Sequence, residues 1–192
     1  MSQHAAKQFH YTVNPRKEDL EYHNVAVPLN NEALLLSKRG DYAGAERLHL
    51  RALEVKIRAL GTEDIRVAIT YNELGETQLR LNKLDEAEVN LRHAVAIRDA
   101  HDKLSLDAAV SRENLAQLLE ARFKLDQAKA ERVRGAPSVC CGNAKCPGQL
   151  FKPENMMTCG FCKSVFYCSA NCQSMDWTSR HKSLCRVSPR TI

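Results

Sequence analysis

Cysteine is missing from the first 139 residues of this 192-residue chain, and all eight lie between Cys140 and Cys185. A disulfide framework is thereby excluded from the larger part of the molecule. No stretch of about eighteen consecutive apolar residues occurs, so no membrane span is expected. The opening MSQHAAKQFHYTVNP has no apolar run of signal-peptide length, which predicts an intracellular protein, cytoplasmic or nuclear. In a reducing compartment, clustered cysteines are better explained as metal ligands, although their even number leaves disulfide pairing as the rival reading. Aromatics are scarce at 6%, with a single tryptophan, while alanine and leucine are common, a balance that leans toward helix. Proline is absent between Pro28 and Pro137, which permits long uninterrupted helices there.

Acidic residues are also scarce in one place. Residues 137–192 hold seven Lys and Arg against two acids, whereas residues 1–136 hold 21 of each, so the formal +5 belongs to the cysteine-rich end. A basic segment invites a nucleic-acid reading. That count treats the cysteines as neutral thiols. Seven thiolates and two divalent zinc ions would contribute about −3, leaving about +2, so the basic signal largely disappears.

The chain divides by composition into a polar tail at 1–23, expected to be loosely ordered, a helical segment at 24–134 and a linker at 135–139. The cysteine-rich unit at 140–186 and a tail at 187–192 follow. The helical segment repeats itself. Gly40 to Glu46 is echoed by Asn82 to Glu88 and again by Phe123 to Lys129, aligning Ala45, Ala87 and Ala128. Each is preceded at a fixed distance by a small residue: Ala33, Gly75 and Ala116. Ala52 and Ala94 follow the first two at matching positions. Small residues at fixed places let paired helices approach closely. Gly40 suits a left-handed C′ position, and Asn82 tolerates one. The spacing predicts helices near 29–39, 42–60, 64–81, 84–102, 106–121 and 125–134, stacked as hairpins. A stripe of Ala45, Leu48, Ala52 and Val55 would face the neighbouring hairpin.

This segment resembles a tetratricopeptide array of the longer kind seen in kinesin light chains. Some arrays of that family grip a C-terminal carboxylate with cationic and amide side chains. The matching positions here are Asn30, Leu34, Glu73, Val110 and Asn114, which include no cation, so that clamp is not expected. Asn30 and Asn72 could instead line the concave face and hold a peptide backbone, although residues so placed are more often merely solvated.

The cysteine-rich unit reads Cys141-x4-Cys146, Cys159-x2-Cys162, Cys168-x3-Cys172 and His181-x3-Cys185. Zinc takes four tetrahedral sulfur or nitrogen donors, and donor pairs a few residues apart close on one ion from a single turn. Four pairs suffice for two zinc ions (Zn2+) per chain. Cys140 stands beside Cys141 as one thiol too many. Cys-Gly-Asn-Ala-Lys-Cys forms a natural knuckle turn, which favours Cys141, but either could be the first ligand.

Cys162 to Trp177, followed by His181 to Cys185, strongly resembles a MYND finger. By that resemblance one zinc takes Cys141, Cys146, Cys168 and Cys172, and the other takes Cys159, Cys162, His181 and Cys185. The first pair is more widely spaced than usual in the family, and Pro147 to Thr158 forms a longer insertion, expected to be flexible. In MYND fingers that bind proline-rich peptides, residues matching Gln173 and Trp177 line a shallow groove. Trp177 could equally pack over the zinc and merely hold its helix. Phe166 and Tyr167 read as core residues.

The expected fold is an all-α array of tetratricopeptide-like hairpins followed by a small zinc-stabilised MYND finger. The expected function is a non-catalytic protein–protein interaction adaptor. Neither zinc set has an open position for water, and no complete enzymatic constellation is present. A methyltransferase, which MYND fingers accompany elsewhere, has no room here for its catalytic domain. A ubiquitin-ligase-like role and a nucleic-acid-binding, transcriptional role are the alternatives; the signature residues and the zinc-corrected charge argue against them.

Overall fold

The computed structural model describes residues 17–134 and 137–185. Residues 1–16 of the expected tail at 1–23, Gly135–Ala136 of the expected linker, residue 186 and the expected tail at 187–192 lie outside the described residues.

Seven helices form the larger part: α1 Lys17–Glu21, α2 Val27–Lys38, α3 Tyr42–Leu60, α4 Ile65–Arg80, α5 Leu84–Asp102, α6 Leu106–Ala121 and α7 Leu125–Val133. The bounds of α2 to α7 lie within one or two residues of the expected ones. The N-terminal side differs. Residues 17–23 are helical rather than loose, and a wide π-turn at Tyr22–Ala26 joins α1 to α2. Val27 donates its N–H to the Tyr22 carbonyl across that turn. The turn sits directly before Pro28, whose missing donor and bulky ring disturb a regular α-turn.

Helix starts follow from capping chemistry. The Asp41 side chain accepts from the Gly44 N–H at 2.8 Å, Asp64 from Arg66 at 2.8 Å and Ser105 from Ala108 at 3.2 Å. The intervening turns use left-handed residues, Gly40 at φ 84° and Asn82 and Phe123 both at φ 59°. Asn82 accepts this conformation readily; Phe123 holds it at a steric cost, at the same place in the repeat. Gly75 shows why a small residue recurs. A Cβ there would stand 2.6 Å from Leu91 Cγ, so α4 and α5 could not approach as they do.

Apolar packing is segmented along the array. One cluster joins Leu53, Val67, Tyr71, Leu74 and Ile97, and a second joins Leu91, Val95, Leu115, Leu118 and Leu119. Each links consecutive hairpins, as expected of a stack in which neighbours bury one another.

Between the hairpins runs a polar chain that repeats with the sequence. Lys56 Nζ donates to Thr70 Oγ1 at 2.7 Å, and Thr70 donates to Asn30 Oδ1 at 3.2 Å. One repeat later, Arg98 donates to Ser111 Oγ at 2.6 Å, and Ser111 donates to Asn72 Oδ1 at 2.9 Å. Asn30 and Asn72 are thus buried and engaged within the array, which corrects the reading of them as peptide-binding groups. A buried amide that left its partners unpaired would cost too much to turn outward. The stripe on α3 is also corrected. Ala45, His49, Ala52 and Lys56 are buried, while Leu48 and Val55 are half-buried. Lys56 can enter because Thr70 accepts from its ammonium, and His49 because Asn30 accepts from Nδ1, although its Nε2 stays buried without a partner among the described residues.

His49 donates from Nδ1 to Asn30 Oδ1 at 3.1 Å and is fully buried. Burial first, then nearby Lys56, lowers its pKa to about 4. The unfolded chain therefore binds more protons than the folded one between pH 6.5 and 4. Stability from this group is complete above 6.5 and is lost as pH falls toward 4, by roughly 3 kcal/mol at most. His49→Leu, which copies Leu91 at the equivalent place of the next repeat, should flatten urea midpoints measured between about pH 7 and 4.5. An unchanged slope would assign the acid sensitivity to another group.

Candidate metal centres and their junction with the array

The cysteine-rich unit has little regular structure. Val139 and Phe151 exchange backbone hydrogen bonds at 2.8 and 3.0 Å. Strands β1 Met157–Thr158 and β2 Phe166–Tyr167 pair antiparallel, and helices α8 Ala170–Asp176 and α9 Lys182–Leu184 follow, joined by a π-turn at Trp177–His181. Val139, expected in the linker, is buried within this unit. The insertion expected to be flexible supplies Phe151 to the bridge, a 3-10 turn at Pro153–Asn155 and strand β1. From Phe151 onward its backbone groups are engaged, whereas Pro147 to Leu150 are exposed and irregular.

Local turns aim the donors. Asn143 Oδ1 accepts from the Lys145 N–H at 3.0 Å and its carbonyl accepts from Cys146 at 2.8 Å, folding the first knuckle. The Cys159 carbonyl accepts from the Lys163 N–H at 3.1 Å, with Lys163 left-handed at φ 56°, folding the second. Ser169 caps α8 by accepting from the Cys172 N–H at 3.2 Å.

Two tetrads result. Donor atoms of Cys141, Cys146, Cys168 and Cys172 lie within 4.8 Å of one another, as do those of Cys159, Cys162, His181 and Cys185. Cys140 belongs to neither; it is buried, and burial above all pushes its thiol up to about 12. A zinc–sulfur bond of about 2.3 Å implies tetrahedral edges of about 3.8 Å. The sulfur separations Cys146–Cys168 at 3.8 Å, Cys168–Cys172 at 3.5 Å and Cys159–Cys185 at 3.7 Å suit that figure. His181 Nε2 lies 3.4 Å from Cys162 Sγ. One thiol in each tetrad is held low. A hydrogen bond from Asn143 brings Cys172 down to about 7. Burial would raise Cys162, yet His181 and the Ser164 backbone bring it to about 7. Four sulfurs in one compact tetrad, and three sulfurs with an imidazole in the other, fit two zinc ions.

Residues 139–185 match the MYND finger family, and residues 24–100 match the tetratricopeptide repeat family. The chain thus carries N-terminal tetratricopeptide-like repeats and a MYND finger. Both modules are protein-interaction modules. Comparison with curated proteins found no match. No helix among the described residues is long and apolar enough to cross a membrane.

On the MYND finger, Gln173 and Trp177 share one shallow depression with Gly160, Phe161 and Ser174, of roughly 350 Å³. Trp177 stacks on Phe161 with centroids 5.9 Å apart and meets His181 edge-on at 6.0 Å. Phe161 is 63% exposed, an unusual position for a ring of that size. Tyr167 is fully buried and donates to Asp176 Oδ2 at 2.8 Å. A second cleft, of roughly 170 Å³, lies where the array meets the finger, between Val110 and Asn114 on one side and Cys140 and Asn143 on the other.

The junction itself is built around buried charge. Arg132 of α7 is 1% exposed and uses all five of its N–H donors. Nε and Nη2 hold Glu113 at 2.7 and 2.9 Å, Nη2 also holds Glu120, and Nη1 holds the Ser164 carbonyl at 3.0 Å and its hydroxyl at 3.2 Å. Ser164 in turn donates to the Leu125 carbonyl at 2.9 Å. Glu120 of α6 is 0% exposed. Arg180 Nη1 reaches it at 2.7 Å, while Arg180 also grips Asp176 at 2.9 and 2.8 Å. Burial would raise the Glu120 pKa, but Arg132, His181 and Arg180 hold it well below the carboxylate range.

Glu113, Glu120 and Arg132 were not among the expected site residues, since a charge on a helix is usually solvated. A signal was present nonetheless. Counting from Gly75 and Ala116, Glu120 falls at the place of Leu79; counting from Ala87 and Ala128, Arg132 falls at the place of Leu91. Leu91 belongs to the core of the preceding repeat, and Leu79 packs against it half-buried. Opposite charges at two consecutive core places of the last repeat point to a different element covering it.

Proposed function

We propose that this protein is a non-catalytic, zinc-dependent interaction adaptor. The finger presents the groove at Gln173 and Trp177 to proline-rich peptides, and the helical array holds a second protein partner. Cys141, Cys146, Cys168 and Cys172 bind one zinc; Cys159, Cys162, His181 and Cys185 bind the other. Four protein donors at each ion leave no place for a reactive water, which supports a structural rather than catalytic metal. Reduced thiols of this kind suit the cytoplasm or nucleus.

The observation that carries the reading is the Trp177–Phe161 stack beside Gln173, a half-buried indole under an exposed phenyl ring on a metal-pinned frame. A proline-rich peptide is already extended, so it loses little conformational freedom on docking against such a surface. Binding to an array of proline-rich peptides should fall roughly thirtyfold or more for Trp177→Ala, the scale of an aromatic hot spot. Zinc content of the variant, measured alongside, should remain at the wild-type value. Equal binding by both proteins would retire the groove.

A further inference from the structure

The repeat array reaches into the second metal site. His181 is fully buried, with Nε2 turned to Cys162 Sγ at 3.4 Å and Nδ1 at 3.0 Å from Glu120 Oε2. Glu120 belongs to α6, 61 residues earlier, and carries no exposed surface. A carboxylate at that distance accepts the Nδ1 proton. It thereby leaves Nε2 as the lone-pair donor and fixes the plane of the ring. Metal-ligating imidazoles commonly depend on a partner of this kind. Here that partner comes from outside the finger. Arg132 and Arg180, on opposite sides of the junction, both hold the same carboxylate and prevent it from turning away.

We propose that Glu120 is a positioning residue for the second zinc, so that the finger's histidine-containing site is completed by the last tetratricopeptide-like repeat. This inference rests on the zinc assignment above. Metal affinity at that site and docking of the repeat are then one linked equilibrium. Whatever pulls the finger from α6 loosens the zinc, and zinc binding holds the repeat in place. The all-cysteine site has no imidazole to orient, so it serves as an internal reference.

The test uses the full chain, with wild type, Glu120→Gln, Glu120→Ala, His181→Cys and the double variant Glu120→Gln/His181→Cys. Zinc is competed away by a graded chelator. Cobalt-substituted protein is followed by its visible spectrum, in which a site of four thiolates differs from one of three thiolates and an imidazole. Glu120→Ala should weaken one of two zincs by roughly 10- to 100-fold. Glu120→Gln, which keeps the shape and one acceptor oxygen, should weaken it less. In the His181→Cys background there is no imidazole to orient, so Glu120→Gln should leave affinity unchanged. Should the same loss persist there, Glu120 acts only through general docking and the proposal falls. It also falls if wild type binds two zincs and Glu120→Gln and Glu120→Ala bind both equally well. Wild type binding fewer than two would instead overturn the zinc assignment on which this rests.

Discussion

Treatment with a strong chelator is expected to release two zinc ions per chain and to unfold residues 139–185, while most helical signal survives. The reason lies in what fills the finger. Its buried cluster consists of Leu125, Cys141, Cys159, Cys162, Val165, Tyr167 and Cys172. Besides the ligand cysteines the finger buries Val139, Cys140, Val165, Phe166 and Tyr167, and Leu125 belongs to α7. Burying so few side chains contributes on the order of 10 kcal/mol. Ordering each residue costs on the order of 1–2 kcal/mol. The two short strands add little. Each zinc supplies roughly 10–16 kcal/mol, which is what makes folding of this segment favourable. The array differs, because its two apolar clusters contain no finger residue. Metal analysis, far-ultraviolet circular dichroism and fluorescence of Trp177, the sole tryptophan, would follow the three events separately. One zinc per chain, or collapse of the helical signal in the same step, would contradict the two-site, two-module account.

Replacing Arg132 with alanine is the second large expected effect. The change strips five donors from a site where Glu113 and Glu120 are 7% and 0% exposed, and leaves the Ser164 carbonyl without its partner. Breaking a buried ion pair from one side costs about 3–5 kcal/mol, because the remaining charge stays in a poorly polarisable environment. For a chain of this size that corresponds to a fall in Tm of roughly 10 °C or more. Arg132→Lys should recover only part, since three donors on a point-like ammonium cannot hold two carboxylates and a carbonyl at once. Arg122→Ala is the contrasting control. Arg122 reaches Asp85, which is 92% exposed, and Glu88 at 3.4 Å, which is 20% exposed, so solvent screens most of its pairing and thermal melts should fall far less than for Arg132→Ala. Similar melts for Arg132→Ala and Arg122→Ala would mean that the buried network contributes nothing beyond surface pairing.

The repeat was legible because its signal is steric and periodic. Gly75 stands where a Cβ would collide with Leu91, and the left-handed turns recur at Gly40, Asn82 and Phe123. Spacing likewise displayed the donor pairs that close into tetrads, since zinc tolerates few donor types and one geometry. Asn30 and Asn72 were misread for the opposite reason. An amide on a helix looks the same in sequence whether it meets a peptide, water or Thr70. Only the packing of α2 on α3 and α4, and of α4 on α6, shows which groups surround them.

By itself, then, the sequence determined the helical hairpins, their stacking order and seven of the eight metal donors, because each depends on contacts between residues at short, fixed spacing; the eighth, Cys141 rather than Cys140, is set by the folded tetrad. It also displayed the pair Gln173 and Trp177, which the structure places in a common depression. The tertiary structure alone decided that the finger and the array meet through buried charge. Glu120 and His181 are 61 residues apart, and no local rule links a carboxylate on α6 to an imidazole beyond α8. Their pairing exists because the last repeat, having exchanged core leucines for Glu120 and Arg132, presents a desolvated charged surface. A carboxylate buried there would be prohibitively costly unless Arg132, Arg180 and His181 closed around it.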